Sequence, residues 1–151
     1  MHTQYTYFFP IGSITVAATQ DAVTHVCFGK SCFDFPVRKT PLISRCAQEL
    51  EEYFSKKRTR FDLPLLPEGT DFQQKVWQAL QKIPYGQTRS YRDIAAAIGS
   101  PRAYRAVGRA NHANPIAVLI PCHRVIAQTG ALCGYAAGAD IKKQLLELEH
   151  V

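Results

Sequence analysis

The chain has 151 residues, 46% of them hydrophobic and 20% charged, with a formal net charge of +6. That length holds one ordinary domain or two small lobes and excludes large multidomain machinery, and the composition is that of a folded globular protein rather than a disordered tail. No apolar run is long enough to span a bilayer, and the opening "MHTQYTYFFPIGS" lacks the basic and apolar regions of a secretory signal, so a cytoplasmic protein with no membrane partner is expected.

The charge is uneven. Residues 1–69 carry eight Lys and Arg against seven Asp and Glu, and residues 70–151 carry ten against five. The basic excess, and with it any polyanionic partner, belongs to the second half. Five cysteines (Cys27, Cys32, Cys46, Cys122, Cys133) are an odd number at spacings that fit no disulfide framework or zinc ribbon, so reduced thiols are expected.

In chain order, Tyr5–Pro10, Ser13–Thr19 and Val23–Gly29 are short β-branched and aromatic runs separated by turn residues, the pattern of a small antiparallel meander. From Pro41 the sequence "PLISRCAQELEEYFSKK" places Ile43, Cys46, Leu50, Tyr53 and Phe54 on one helical face, with Glu49, Glu51 and Glu52 outward. "RTRFDLPLLPEGT" then reads as a linker, which divides the chain into an N-terminal α/β lobe, 1–68, and a C-terminal lobe, 69–151. The fold class expected is α+β: a small antiparallel sheet with a helix, then a mostly helical lobe containing a winged-helix-like helix-turn-helix.

The second lobe opens with a helix carrying Phe72, Val76, Leu80 and Ile83, with Trp77 alongside, stopped by "PYGQT". Two short helices follow. Ser90 caps the first with Asp93 as its capping-box partner, Gly99 ends it, and Ser100-Pro101 is expected to open the second. On that second helix Arg102, Arg105 and Arg109 share a face while Ala103, Ala106, Val107 and Ala110 fill much of the rest, an arrangement suited to phosphate contact, with His112 near DNA at its end. A last helix runs from about Asp140 to Glu149.

The chemistry centres on "AVLIPCHRVIAQTG", residues 117–130. A free cysteine is most often inert packing, but Cys122 is followed by His123 and Arg124, and a thiol becomes a nucleophile when a base or positive charge supports its thiolate. Adjacent side chains usually point apart, so a water between thiol and imidazole is expected rather than direct contact. A carboxylate on the far ring nitrogen would complete the relay, and Glu147 and Glu149 are both in reach of that role. Cys46 reads as core and Cys133 as packing or loop. His25, Cys27 and Cys32 make a poor zinc set without a fourth ligand, so no metal is expected.

An R-A-V-G helix, an Asn-Pro, an apolar run and a P-C-H-R-V box, in the order of "RAVGRANHANPIAVLIPCHRVI", resemble the O6-alkylguanine-DNA alkyltransferases, also called methylated-DNA--protein-cysteine methyltransferases. The likeness extends upstream through "GTDFQQKVWQALQKIPYGQTRSYRDIAAAIG" and downstream to "GYAAG", closely over 69–149. It implies that Cys122 accepts the alkyl group, His123 is the water-linked base, and Glu149 rather than Glu147 orients it. Asn114 would tie the recognition helix to the active-site turn, Arg105 would fill the place of the flipped nucleotide, and Tyr91 would crowd the phosphate and meet the extruded guanine. Arg92, Ser100 and Gln128 fall at backbone contacts, Tyr135 at the wall of the alkyl pocket, and Lys142 near that wall. Gly108 and the alanines suit a helix that enters the minor groove.

The activity implied is single-turnover repair of O6-alkylguanine in double-stranded DNA by a monomer without cofactors, since a thioether is a poor leaving group. Ala136 and Ala117 stand where some members carry serine and proline, which bears on substrate range. The chain shows no separate cysteine-rich regulatory domain. Two rival readings are a non-catalytic alkylguanine-binding protein of the alkyltransferase-like kind, against which Cys122 argues, and a helix-turn-helix regulator, for which no dimerisation element is evident.

Overall fold

A computed structural model describes residues 1–30, 33–129, 135 and 137–150, so the expectations for Cys32, Cys133 and Ala136 lie outside the described residues. The chain forms two compact units, one comprising Met1–Glu68 with Pro115–Ala117, the other Gly69–Asn114 with Val118–Val151.

In the first unit, β1 (Thr3–Phe9), β2 (Gly12–Ala18) and β3 (Val23–Phe28) form an antiparallel sheet in that order, with Thr6 opposite Thr15 and Ile14 opposite Phe28. Phe9 pairs with Gly12, leaving a two-residue turn that Gly12 closes at φ 136°. Helix α1 (Pro41–Phe54) starts where Thr40 accepts from the Ile43 amide and Pro41 takes the first helical position. Its stripe of Ile43, Cys46, Leu50 and Tyr53 is buried, and the Phe54 ring meets Phe9 of β1 at 5.2 Å.

Three expectations change in this unit. Glu49 is buried rather than outward: its Oε1 accepts from the Asp62 amide at 2.8 Å, and Arg45 and Arg58 each lie 3.5 Å from it. The cause is the segment read as a linker, which folds back over α1 and then pairs with β3, Val23 donating to Pro64 O and Leu66 to Val23 O, both at 2.9 Å. Cys27 is disulfide-bonded, whereas Cys46 and Cys122 are free. An odd total never excluded one pair beside free thiols. Pro115–Ala117 also pairs with β3 through Val26.

The second unit contains α2 (Asp71–Leu80), β4 (Arg89–Ser90), α3 (Tyr91–Ala97), α4 (Tyr104–His112), a 3-10 turn (Cys122–Arg124), β5 (Val125–Ile126) and α5 (Ala139–Glu149). Thr70 with Gln73 and Ser90 with Asp93 form full capping boxes. Val76, Trp77, Leu80 and Ile83 are buried, and the Trp77 indole donates to Ala110 O of α4 at 2.9 Å, fixing α4 against α2.

Gly99, at φ 79°, ends α3 with both bonds of a Schellman motif, Gly99 N to Ala96 O and Ser100 N to Ala95 O. Ser100-Pro101 does not open α4. Ala103 N donates to Ser100 O at 2.8 Å, so Pro101 sits inside a β-turn, and α4 begins at Tyr104. The φ that proline imposes serves a turn as well as a first helical residue, and the local bond decides. Arg102 therefore precedes the helix, and the exposed basic residues on α4 are Arg105, Arg109 and His112.

Candidate active site

The approach to the thiol is backbone-driven. Val118, buried and β-branched, holds φ 70°, an uncommon conformation for such a residue. The chain continues through buried Leu119 and Ile120 to Pro121, where Cys122 N donates back to Ile120 O at 2.7 Å across a turn of the inverse γ type. Arg124 N then donates to Pro121 O, and β5 pairs in parallel with β4, Val125 against Arg89 and Ile126 against Ser90. Ser90 is the N-cap of α3, so one short ladder joins the cysteine turn to the start of the helix-turn-helix.

Two asparagines of the α4 end hold the turn. Asn114 Nδ2 donates to Ile120 O at 2.9 Å, and Asn111 Nδ2 donates to the Cys122 carbonyl at 3.3 Å. Cys122 is 4% exposed, and burial pushes its thiol up to about 11, opposed by Asn114's side chain, by the Lys142 charge and by backbone donors. Tyr135 is buried with its hydroxyl close to this sulfur. Its pKa stands well above the usual phenol value, first through burial and then through Cys122.

Behind the cysteine lies a buried charged cluster. His123 Nε2 is 2.7 Å from Glu149 Oε2, Arg124 Nε is 2.8 Å from Glu149 Oε1, and Arg124 Nη2 is 3.0 Å from Oε2. Arg124 Nη1 also donates to Ile83 O at 2.7 Å, while Tyr85 Oη donates to Leu148 O at 3.3 Å. The pair on Glu149 is the two-pronged arginine–carboxylate geometry. Glu147 is exposed, 3.9 Å from Lys143, and remote in role from this cluster. Burial lowers the His123 pKa, Glu149 raises it, and Arg124 and Lys142 lower it further, for a net depression, so the ring is neutral near pH 7. With Nε2–H given to the carboxylate, Nδ1 is the basic nitrogen, and it is buried without a hydrogen-bond partner among the described residues.

Of the residues singled out in sequence, Cys122, His123, Glu149, Asn114, Tyr135 and Lys142 thus lie around one thiol. Lys142 is fully buried and donates to Val125 O at 2.5 Å. The others occupy the helix-turn-helix and its margins. Tyr91, the first residue of α3, faces Gly108 of α4, and exposed Arg92 carries its guanidinium 4.1 Å from the Tyr104 ring centroid. Ser100 lies in the turn, Arg105 is exposed on α4, and Gln128 is exposed in a turn after β5. Asn111 was given no role from sequence, and Arg124, read as a positive charge beside the thiol, turns instead to Glu149 and Ile83 O. The arginine stands next to the histidine in the box, and Asn111 is one helical turn before Asn114, so adjacency and periodicity were the available signals.

Among the described residues no group of three His, Cys, Asp or Glu could hold a metal ion, and no helix is long and apolar enough to cross a membrane.

Residues 71–151 match the profile of the 6-O-methylguanine DNA methyltransferase DNA binding domain, and residues 4–67 that of the family's ribonuclease-like domain. A methylated-DNA--protein-cysteine methyltransferase of Methanosarcina barkeri is 53% identical over 93% of this chain and 92% of its own length. The constitutive Bacillus subtilis protein of that name is 44% identical over 94% and 92%. The crystal structure of Mycobacterium tuberculosis OGT in complex with DNA superposes with a TM-score of 0.91 at 44% identity, covering 97% of this chain and 92% of that one. With both profiles in order along one chain and relatives at this identity, the chain belongs to the 6-O-methylguanine DNA methyltransferase family.

Proposed function

We propose that this chain repairs DNA by moving the alkyl group of O6-alkylguanine from the duplex onto its own Cys122, once per molecule. The observation that carries the reading is the buried Glu149–His123 pair, which leaves Nδ1 of a neutral imidazole as an acceptor on the residue that follows a buried, protonated thiol. The thiol proton passes through a water to Nδ1, and Glu149 supports the imidazolium that forms. The thiolate attacks the alkyl carbon, an S–C bond forms, and the O6–C bond breaks with its electron pair going to guanine, which then takes up a proton. Nothing hydrolyses the thioether, so turnover stops, and the reaction needs no cofactor.

The alkylated base lies inside the stack, so the nucleotide must be extruded at a cost of a few kcal/mol. Arg105 is proposed to fill its place, with Tyr91 meeting the extruded guanine and Arg92, Ser100 and Gln128 on the DNA backbone. Tyr135 is proposed to wall the alkyl pocket, with Lys142 near that wall. Entry through the minor groove is supported by Gly108: its backbone needs no glycine and a β-carbon would meet only Tyr91 at ordinary distance, which leaves an approaching ligand as the reason for the missing side chain. On this reading residues 69–151 bind DNA and transfer the alkyl group, 1–68 form a separate lobe, and the protein acts as a cytoplasmic monomer.

The test is intact-protein mass after incubation with duplex DNA containing O6-methylguanine. A single added methyl, mapped to Cys122, is expected; an unchanged mass overturns the reading.

A further inference from the structure

Two buried acceptors near Cys122 lack hydrogen-bond partners among the described residues: Nδ1 of His123, the next residue, and Oδ1 of Asn111, whose amide nitrogen already bonds the Cys122 carbonyl. Asn111 is 1% exposed. A buried unsatisfied carbonyl oxygen destabilises a fold, and its retention calls for a ligand. Replacing Asn111 by an apolar residue would remove that penalty together with the bond to Cys122.

We propose that Asn111 is a positioning residue that anchors the water through which Cys122 loses its proton; this rests on the repair reading above. The inventory closes around one molecule. A water has two hydrogens to donate, and the turn offers two orphan acceptors. It also has lone pairs, and the thiol offers one hydrogen. One O–H points to His123 Nδ1, the other to Asn111 Oδ1, and the oxygen accepts from Cys122 Sγ–H. In the transfer the S–H bond breaks with its pair left on sulfur, the water takes that proton, and its own proton passes to Nδ1. The hydrogen on Asn111 stays in place and sets the water's orientation. Asn114 has a different task, because its amide nitrogen supports the sulfur and holds Ile120 O. Asn111 sits two turns beyond Arg105 on α4, so the helix proposed to enter DNA also holds the relay.

The experiment is a double-mutant cycle on the rate of Cys122 alkylation by free O6-benzylguanine, read by intact mass over long incubations. Asn111→Leu is expected to slow the wild-type protein about tenfold, less than the roughly 100-fold or more that a positioned base itself contributes because Nδ1 remains, and to slow His123→Phe less than about twofold, because without Nδ1 the water has no proton to deliver. A purely structural role in holding the turn predicts the same factor in both backgrounds, and that result, or no slowing at all, overturns the proposal. If Asn111→Leu does not fold, Asn111→Ser enters the same cycle under the same criteria. Failure of wild-type protein to gain the benzyl group would instead overturn the repair reading, so the two outcomes are separate.

Discussion

A β-carbon built on Gly108 would lie 3.9 Å from Cδ1 of Tyr91, an ordinary van der Waals distance, at a position whose φ is not positive. Glycine inside a helix is less stable than alanine by about 0.5–1 kcal/mol. Gly108→Ala is therefore expected to raise the melting temperature by a few degrees and, on the minor-groove reading proposed above, to weaken duplex binding several-fold. Tighter or unchanged DNA binding by the stabilised variant would remove the minor-groove argument from this residue.

Glu149 holds Arg124 as well as His123, and this alters what its replacement should do. Glu149→Gln removes the charge that supports an imidazolium at His123 and also leaves Arg124 buried against a neutral amide. Breaking a buried pair by removing one charge destabilises by about 3–5 kcal/mol. The variant is expected to lose alkyl transfer and to melt well below wild type, whereas Glu147→Gln, at an exposed site, changes neither. A Glu149→Gln protein of native stability would show that Arg124 finds other partners.

The pH dependence follows from two opposed shifts. His123 ionises below its ordinary 6.5 in the fold, so the unfolded chain binds its proton more readily; stability is full above that value and is lost as pH falls through the folded pKa. Cys122 is raised to about 11 from 9.0, so its contribution is full below 9.0 and lost as pH rises toward 11. The alkylation rate with free O6-benzylguanine should climb as His123 deprotonates, below 6.5, then stay level until the thiol itself ionises. A rate that rises steadily from pH 7 to 9 would mean that Cys122 ionises without the relay.

The P-C-H-R box and the Ser90–Asp93 capping box were legible because each is a local pattern: a short run of adjacent residues, or a Ser three residues before its partner. The choice between Glu147 and Glu149 was not local. Only the burial of one face of α5 separates them, placing Glu149 at 2% exposure and leaving Glu147 in solvent. The partners of Arg124 were hidden for the same reason, since they are 25 and 41 residues away in sequence. Ser100-Pro101 failed differently: both a helix start and a β-turn accept that dipeptide, and the bond from Ala103 to Ser100 settles it for the turn. The segment 58–68 looked like a linker because prolines break periodicity, yet its backbone pairs with β3.

Arg105 is exposed on α4, beside small Ala106 and one turn from Gly108. A wedge matters only when a base must be held out of its stack, so Arg105→Ala should slow reaction with duplex DNA far more than reaction with free O6-benzylguanine, which bypasses extrusion. Phosphate contacts behave otherwise. Arg92→Ala should weaken duplex affinity and reduce its salt slope by about 1, with little effect once DNA is saturating. The informative quantity is the ratio of second-order rate constants, duplex over free base, measured for wild type, Arg105→Ala and Arg109→Ala at one salt concentration. A fall of tenfold or more is expected for Arg105→Ala, corresponding to about 1.4 kcal/mol of lost support for the extruded state, with a smaller fall for Arg109→Ala. Equal falls would make Arg105 an ordinary member of a basic face, and the position of the wedge would have to be sought elsewhere on α3 or α4.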